Sequence, residues 1–236
     1  MIRRVGILGG TFDPIHCGHL DLGAAVQQAL QLTALLVIPA NIPPHRPRPI
    51  ASPFHRFAMT AIAVSGRTGW HASDLELSQG SPSYTEATLN RLHQDGYSAS
   101  ELFFVIGADA FAEITSWKDY PRFLDAAHFA VVSRPGSPVQ TLPERLPQLA
   151  ARMRTPSGVV NPPHEVSIFL IEAATADVSS TAIRQRRQHG QSISGLVPQG
   201  VEQHIEQHGL YLPITGGESH DGWLANPTAG RLHGQS

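Results

Sequence analysis

The chain has 236 residues, of which 41% are hydrophobic, so it can bury a sizeable core in one large domain or two small ones. Its formal net charge of −2 gives no reason to expect a nucleic-acid partner or a membrane surface, and no stretch reaches the ~18 apolar residues of a membrane span. The one cysteine, Cys17, excludes an intrachain disulfide. The apolar run that follows Arg3 and Arg4 is too short for a signal peptide. This run and the single cysteine together predict a cytoplasmic protein.

The first 40 residues have the pattern of a βαβ unit. Apolar runs predict strands at residues 2–8 and 35–38, and residues 18–32 predict the helix between them. A crossover helix of this kind implies that the two strands are parallel. Residues 41–53 carry five prolines and predict an irregular, rather stiff loop.

The rest of the chain continues this alternation. Helices are predicted at residues 53–64, 84–95, 180–188 and 201–208, and strands at residues 70–75, 102–106, 129–132 and 166–171. Residues 140–164 are interrupted by prolines and predict a variable connection. We expect one domain over residues 1–213 and a flexible C-terminal tail over residues 214–236, which contain few apolar side chains.

This pattern predicts an α/β fold, a Rossmann-like doubly wound parallel sheet with helices on both faces. Such sheets bind ligands at the carboxyl ends of their strands, near the point where the strand order reverses. The segments that deserve inspection therefore follow the predicted strands. They are residues 9–19, 39–46, 107–109, 133–136 and 177–184.

The first of these segments has the residue types of a phosphate site. Gly9 and Gly10 would let the backbone approach a ligand closely and adopt positive φ, although glycine is also common in an ordinary βα turn. His16 and His19 lie at the start of the predicted helix, where backbone N–H groups and the helix dipole favour phosphate. Their imidazoles can donate to phosphate oxygens; the alternatives are a metal site, for which only Asp13 is an obvious further ligand, or a helix cap.

Six segments of the chain, in order, resemble the signatures of one family. They are residues 9–20 (GGTFDPIHCGHL), 39–46 (PANIPPHR), 83–85 (SYT), 106–117 (IGAD, ending in Trp117), 133–136 (SRPG) and 178–184 (VSSTAIR). The first and last resemble the two signatures of the HxGH nucleotidylyltransferase superfamily. The whole set is similar to the bacterial nicotinate-nucleotide adenylyltransferases, in which Arg46 is usually lysine and His204 is often tyrosine.

The resemblance implies a reaction and its substrates. The 5′-phosphate of nicotinate mononucleotide would attack the α-phosphorus of ATP in line, giving nicotinate adenine dinucleotide and pyrophosphate in NAD biosynthesis. Mg²⁺ would accompany ATP and bridge phosphate oxygens rather than occupy an all-protein site. The resemblance also permits a homo-oligomer.

It also implies roles for particular residues. The catalytic residues would be His16, His19 and Arg184. ATP would be bound by Gly9, Gly10, Thr11, Phe12, His16, His19, Gly107, Asp109, Ser180, Thr181 and Arg184. The mononucleotide would be bound by His45, Arg46, Tyr84, Thr85, Trp117 and Arg134. No residue is assigned as a metal ligand, and Cys17 receives no role because direct transfer needs no nucleophile.

Three of these residues have ordinary structural alternatives. Arg184 could be a surface arginine of its helix, like Arg186 and Arg187. Asp109 could be a solvated turn residue. Trp117 could pack in the core, although its neighbours in the chain are polar.

Two other functions also compete. One is a different adenylyltransferase of the same superfamily, with nicotinamide mononucleotide or pantetheine phosphate as acceptor. The other is a nucleotide-binding module without catalysis, against which the intact motif residues argue.

Overall fold

The computed structural model describes residues 3–43, 48–77, 82–156 and 165–213. Within this part of the chain, seven parallel strands form one sheet in the order β3-β2-β1-β4-β5-β7-β6. The strands are β1 (Val5–Gly10), β2 (Ala34–Pro39), β3 (Trp70–Ala72), β4 (Leu102–Gly107), β5 (His128–Val132), β6 (Met153–Arg154) and β7 (Ile168–Ile171). The order reverses at β1, which confirms the predicted doubly wound parallel sheet.

Helices connect the strands and cover the sheet. They are α1 (Cys17–Leu30), α2 (Pro53–Val64), α3 (Thr85–Gln94), α4 (Ala108–Phe111), α5 (Leu142–Arg145), α6 (Ser180–Gln188) and α7 (Gln199–Gln207). The predicted bounds of α2 and α6 match, because local caps mark both helices. Ser52 and Ser179 each accept a backbone N–H of the first turn, and Pro53 starts α2.

The strands are buried on both faces, and successive side chains enter two separate cores. In β4, Phe103 and Val105 join the core under α1, α2, α6 and α7. Leu102 and Phe104 join the core under α3, α4 and α5. Since both faces of the strand are apolar, the sequence reads as a continuous hydrophobic run, as the prediction assumed.

Three short elements are absent from the sequence predictions, and some elements end at other residues than predicted. Strand β6 has two residues at the sheet edge, and α4 and α5 have four each, too few for a periodic pattern. Strand β3 ends at Ala72 rather than residue 75, because a turn closed by the Leu77 N–H and the Asp74 carbonyl follows.

The predicted tail at residues 214–236 lies outside the described residues, as do residues 157–164 of the predicted connection. In the described ranges, no helix combines the length and apolar character needed to cross a membrane.

Candidate active site

The site begins where β1 ends, and here one expectation needs correction. Gly9 and Gly10 belong to β1, paired with β2, and the positive φ of this segment is at Phe12, at 50°. A Cβ on Gly10 would lie 2.6 Å from the Phe12 ring, whereas a Cβ on Gly9 would meet only the tip of Phe104, at 4.0 Å. The glycines therefore matter through their missing side chains: one makes room for Phe12, and the other leaves open surface above β1.

His16 and His19 form a stacked pair at the start of α1. Their ring centroids are 3.7 Å apart with an interplanar angle of 27°, and Phe12 meets His19 edge-on at 5.0 Å. The backbone N–H of His16 donates to Nδ1 of His19 at 3.3 Å. Because Nδ1 accepts this bond, the proton of a neutral His19 ring lies on Nε2.

His16 is held as an uncharged ring. Its side chain is buried, and burial, with the charge of Arg134 as a second cause, lowers its pKa to about 3. At neutral pH the ring is therefore a hydrogen-bonding group and not a cation. In the described part of the chain, Nδ1 of His16 is buried without a hydrogen-bond partner, which costs free energy.

Gly18 has no side chain, and this leaves room for the His16 ring and the Ala176 carbonyl. A Cβ at Gly18 would lie 3.0 Å from the Ala176 carbonyl oxygen and 3.3 Å from Nδ1 of His16. The Ala176 N–H in turn donates to the carboxylate of Asp21 at 2.8 Å. Helix α1 is thereby fastened to the segment that leads into α6.

The second signature meets the first at the start of α6. Ser180 Oγ donates to the Pro14 carbonyl at 2.9 Å. Arg184 donates from Nη1 to the Asp13 carbonyl at 2.8 Å and from Nη2 to Thr181 Oγ1 at 3.2 Å. Arg184 is thus turned toward the β1–α1 segment, which disfavours its reading as an ordinary surface arginine.

Asp13 joins several segments below this site. Its buried carboxylate accepts the backbone N–H groups of Ile50, at 2.8 Å, and Ala51, at 3.1 Å, and the hydroxyl of Tyr211, at 2.8 Å. The Arg184 guanidinium lies 3.9 Å from the same carboxylate. With all of these partners, Asp13 has a structural role in the described site.

Arg56 is a residue that the sequence analysis missed. It is fully buried in α2 and donates to the carbonyls of Thr11, at 2.8 Å, and Asn41, at 3.1 Å, and also to that of Ala40. It therefore clamps the loops after β1 and β2 together. A signal was present, because Arg56 shares a helix face with Met59, the buried residue three positions later.

Gly107, Asp109 and Arg134 come together at the ends of β4 and β5. Nη1 of Arg134 lies 3.7 Å from the Asp109 carboxylate, which is half exposed. A Cβ on Gly107 would fall 2.6 Å from Oδ1 of Asp109 and 2.7 Å from Cδ of Arg134. Asp109 is therefore not an isolated turn aspartate, because it lies beside a cation whose charge also reaches His16.

Two of the predicted mononucleotide residues, Tyr84 and Thr85, lie where α3 begins. The Asn41 N–H donates to Ser83 Oγ at 2.9 Å, which joins the loop after β2 to the start of α3, where Tyr84 and Thr85 lie. The Lys118 ammonium lies 4.3 Å above the Tyr84 ring, so Tyr84 and the Trp117 segment are neighbours.

Trp117 is half-buried, and His45 and Arg46 lie outside the described residues. The Trp117 ring meets Phe104 edge-on at 6.4 Å and packs against Phe123 at 6.1 Å. It therefore packs against the core, as its structural alternative required, while part of its side chain stays accessible.

The chain is similar to known proteins over most of its length. A family model described as Cytidylyltransferase-like matches residues 7–186. A relative from Desulfatibacillum aliphaticivorans, named a probable nicotinate-nucleotide adenylyltransferase, is 43% identical over 89% of this chain and 100% of its own length. Relatives of the same name from a Roseiflexus species and Shewanella frigidimarina are 40% and 35% identical, each over 88% of this chain and over 97% and 99% of their own lengths.

Solved structures share the fold. A nicotinic acid mononucleotide adenylyltransferase from Plasmodium falciparum, solved in complex with NaAD, superposes with a TM-score of 0.69 at 17% identity. The match covers 89% of this chain and 97% of that one. The chain therefore belongs to the Cytidylyltransferase-like nucleotidyltransferases and, within them, to the nicotinate-nucleotide adenylyltransferase family.

Proposed function

We propose that the crevice at the carboxyl ends of β1 and β4 adenylates nicotinate mononucleotide with ATP. A phosphate oxygen of the mononucleotide forms a bond to the α-phosphorus of ATP, and the bond from that phosphorus to the β-phosphate bridging oxygen breaks. The products are nicotinate adenine dinucleotide and pyrophosphate. The observation that carries this proposal is the stacked His16–His19 pair, joined through Asp13 and Pro14 to the start of α6.

In this reaction His16, as an uncharged ring, and His19 act as hydrogen-bond donors. Charge on the transferred group is stabilised most effectively by donors that are already in position, since no reorganisation is then needed. The stacking of His16 on His19 and the bond from the His16 N–H to His19 Nδ1 hold both rings in position. We assign their donor atoms to the α-phosphate, alongside the open surface at Gly9 and the Gly10–Phe12 segment.

The N-terminus of α6 and Arg184 would bind the β- and γ-phosphates. Ser180 and Thr181 open this nine-residue helix, where backbone N–H groups and the dipole favour anions. Arginine carries five N–H donors, and Arg184 uses two of its nitrogens to hold Asp13 and Thr181, so further donors remain for departing pyrophosphate. Gly107 and Asp109 would contact the nucleoside of ATP.

The acceptor would lie toward α3 and Trp117. The accessible part of the Trp117 ring offers a surface on which a flat pyridine ring can stack. Tyr84 and Thr85 begin α3 beside it, and Arg134 supplies a cation near His16. His45 and Arg46, on the proline-rich loop, complete our assignment of the mononucleotide site.

Mg²⁺ would enter with the triphosphate. In the described chain, the only group of three metal-ligating side chains consists of histidines at the start of α2 and the end of α7, and the Asp13 carboxylate at the site is already bonded. Mg²⁺ prefers oxygen ligands and keeps waters when it binds phosphates, so it suits a site in which ATP supplies the ligands. When bound, it would neutralise charge on the phosphate oxygens.

A side-by-side assay tests the proposal. Purified full-length protein is incubated with ATP and Mg²⁺ and with nicotinate mononucleotide, nicotinamide mononucleotide or phosphopantetheine, and pyrophosphate and the dinucleotide product are both measured. We expect the highest kcat/KM with nicotinate mononucleotide. A higher kcat/KM with another acceptor would assign the site to that acceptor. If no pyrophosphate is released with any of the three acceptors, the proposal is refuted.

A further inference from the structure

Three histidines meet where α2 begins and α7 ends. His55 is in the first turn of α2, while His204 and His208 are four residues apart at the end of α7. Helical residues at this spacing lie on one face, one turn apart. The centroid of the His55 ring lies 5.3 Å from that of His204 and 4.8 Å from that of His208, and the last two are 4.4 Å apart.

Their nitrogen atoms are close enough to share one ion. One ligand nitrogen from each histidine lies within 4.8 Å of the others, and His55 Nδ1 is 3.1 Å from His204 Nε2. Zinc–nitrogen bonds of about 2.0–2.1 Å in a tetrahedron put neighbouring nitrogens roughly 3.3–3.4 Å apart. The His55–His204 separation is therefore close to that of two zinc ligands. The nitrogen of His208 would need to move by about 1.5 Å at most, the difference between 4.8 Å and the tetrahedral spacing, and side-chain rotation can supply this.

Among the described residues, the hydrogen bond within this cluster joins only two of the three rings. The 3.1 Å contact can hold one proton between His55 and His204, with one nitrogen donating and the other accepting. An ion would instead accept a lone pair from each ring. Burial, followed by the other histidines of the cluster, lowers the pKa of both His55 and His204, so these rings are kept in the neutral form that binds metals.

We propose that His55, His204 and His208 bind one Zn²⁺-like transition-metal ion, with a fourth position open to solvent beside the exposed His208. Imidazole suits zinc, nickel, copper and cobalt, whereas Mg²⁺ prefers oxygen ligands, so this site is chemically distinct from the one that ATP would supply with Mg²⁺.

An ion here would clip α7 to α2. Helix α2 carries Arg56, which clamps the loops after β1 and β2, and the chain beyond α7 carries Tyr211, which donates to Asp13. The ion would thus stabilise the packing of α7 on α2, and with it the contacts of Arg56 and Tyr211, without contacting the substrates. His204 stands where the sequence resemblance leads one to expect tyrosine, so this chain has a third ligand that tyrosine would not readily provide.

Metal binding by the full-length protein tests this inference. Protein without a polyhistidine tag is stripped with EDTA and titrated with ZnCl₂ by calorimetry and with CoCl₂ by visible absorption. We expect one ion per chain and the intense absorption bands of a four-coordinate cobalt site. His204→Tyr should weaken Zn²⁺ binding by more than the roughly 10–100-fold that loss of a group supporting a ligand costs, because it removes one of three protein ligands. His71→Gln, at an exposed histidine of β3, is the matched control and should bind like the wild type.

Thermal unfolding supplies a second readout. At Zn²⁺ about 100 times its Kd, the Tm of the wild type should rise by roughly 5–10 °C, and that of His204→Tyr should hardly change. If His204→Tyr unfolds too readily to be measured, His208→Gln replaces it, because His208 is exposed.

Two results would overturn the proposal. One is the absence of stoichiometric binding to the wild type. The other is binding that survives both His204→Tyr and His208→Gln, which would place the ion at other residues, such as His16 and His19 or His220 and His233 of the C-terminal segment.

Discussion

The hydroxyl of Tyr211 donates a 2.8 Å hydrogen bond to Oδ1 of Asp13, although the two residues are 198 positions apart in the chain. Both side chains are buried. Asp13 also receives two backbone N–H groups from the loop before α2, and its carbonyl receives Arg184. The end of the described chain therefore supports the segment that carries His16 and His19.

Tyr211→Phe isolates this contact. Loss of a hydrogen bond to a buried charged group should lower the free energy of unfolding by about 1.5–3 kcal/mol. Urea denaturation followed by circular dichroism measures the change, and the m-value should stay constant. An unchanged midpoint would mean that the hydroxyl contributes nothing to the fold.

Arg56→Lys tests the clamp between the loops after β1 and β2. The Thr11 and Ala40 carbonyls accept from Nη1 and the Asn41 carbonyl accepts from Nη2, so a single lysine nitrogen should leave at least one carbonyl without its donor, at a cost of about 1–3 kcal/mol. We also expect higher KM values for both substrates, because Thr11 and Asn41 flank the two proposed sites. Arg91→Lys, at an exposed position of α3, is the control. Equal stability of the two variants would contradict the clamp.

His19→Ala should reduce turnover far more than stability. Removing one preorganised donor commonly costs about 10²–10³ in kcat. The fold should survive, because the His19 side chain is only partly buried and the bond from the His16 N–H to it is long, at 3.3 Å. Steady-state kinetics and a thermal melt on the same sample provide the comparison. Near-normal turnover would remove His19 from the mechanism.

Trp117→Ala should raise the KM for the mononucleotide by up to about tenfold, the value of one aromatic stacking contact. The KM for ATP should change little. Phe123→Leu is the matched control, because this buried ring packs on Trp117 and belongs to the same core. If both variants raise the KM equally, the effect arises from packing and stacking is excluded.

His128 makes stability depend on pH. It is buried against Phe103 and accepts the Ser167 N–H at Nδ1, at 2.9 Å, and burial lowers its pKa to about 4. In the unfolded state the histidine pKa is about 6.5, so between pH 6.5 and 4 the unfolded state binds one proton more than the folded state. The contribution of His128 to the free energy of unfolding is therefore complete above pH 6.5. It is lost as the pH falls toward 4, by about 1.4 kcal/mol per pH unit at most.

His128→Asn tests that dependence, since asparagine keeps an acceptor for Ser167 but does not titrate. Urea denaturation between pH 4.5 and 8 should show a shallower slope for the variant below pH 6.5. At pH 8, where His128 is neutral in both the folded and the unfolded state, the difference in the free energy of unfolding between variant and wild type measures the change in packing alone. Parallel curves over the whole range would show that His128 does not set the slope.

Much of the fold follows from local patterns in the chain. The apolar run of β4, the caps at Ser52 and Ser179 and the βαβ opening each depend on residues close in sequence. The short elements β6, α4 and α5 lie below the length at which periodicity is visible, so packing decides them.

The candidate site divides in the same way. The sequence by itself determined which residues follow each strand. Because parallel strands bring their carboxyl ends to one edge, it also predicted that the segment after β1 meets the start of α6, as the bond from Arg184 to the Asp13 carbonyl shows. Only the tertiary structure decided that Arg56 is buried, that Gly10 makes room for Phe12, and that His55 faces His204 and His208. These features depend on contacts between helices and loops far apart in the chain, and no local pattern encodes the distance between two such side chains.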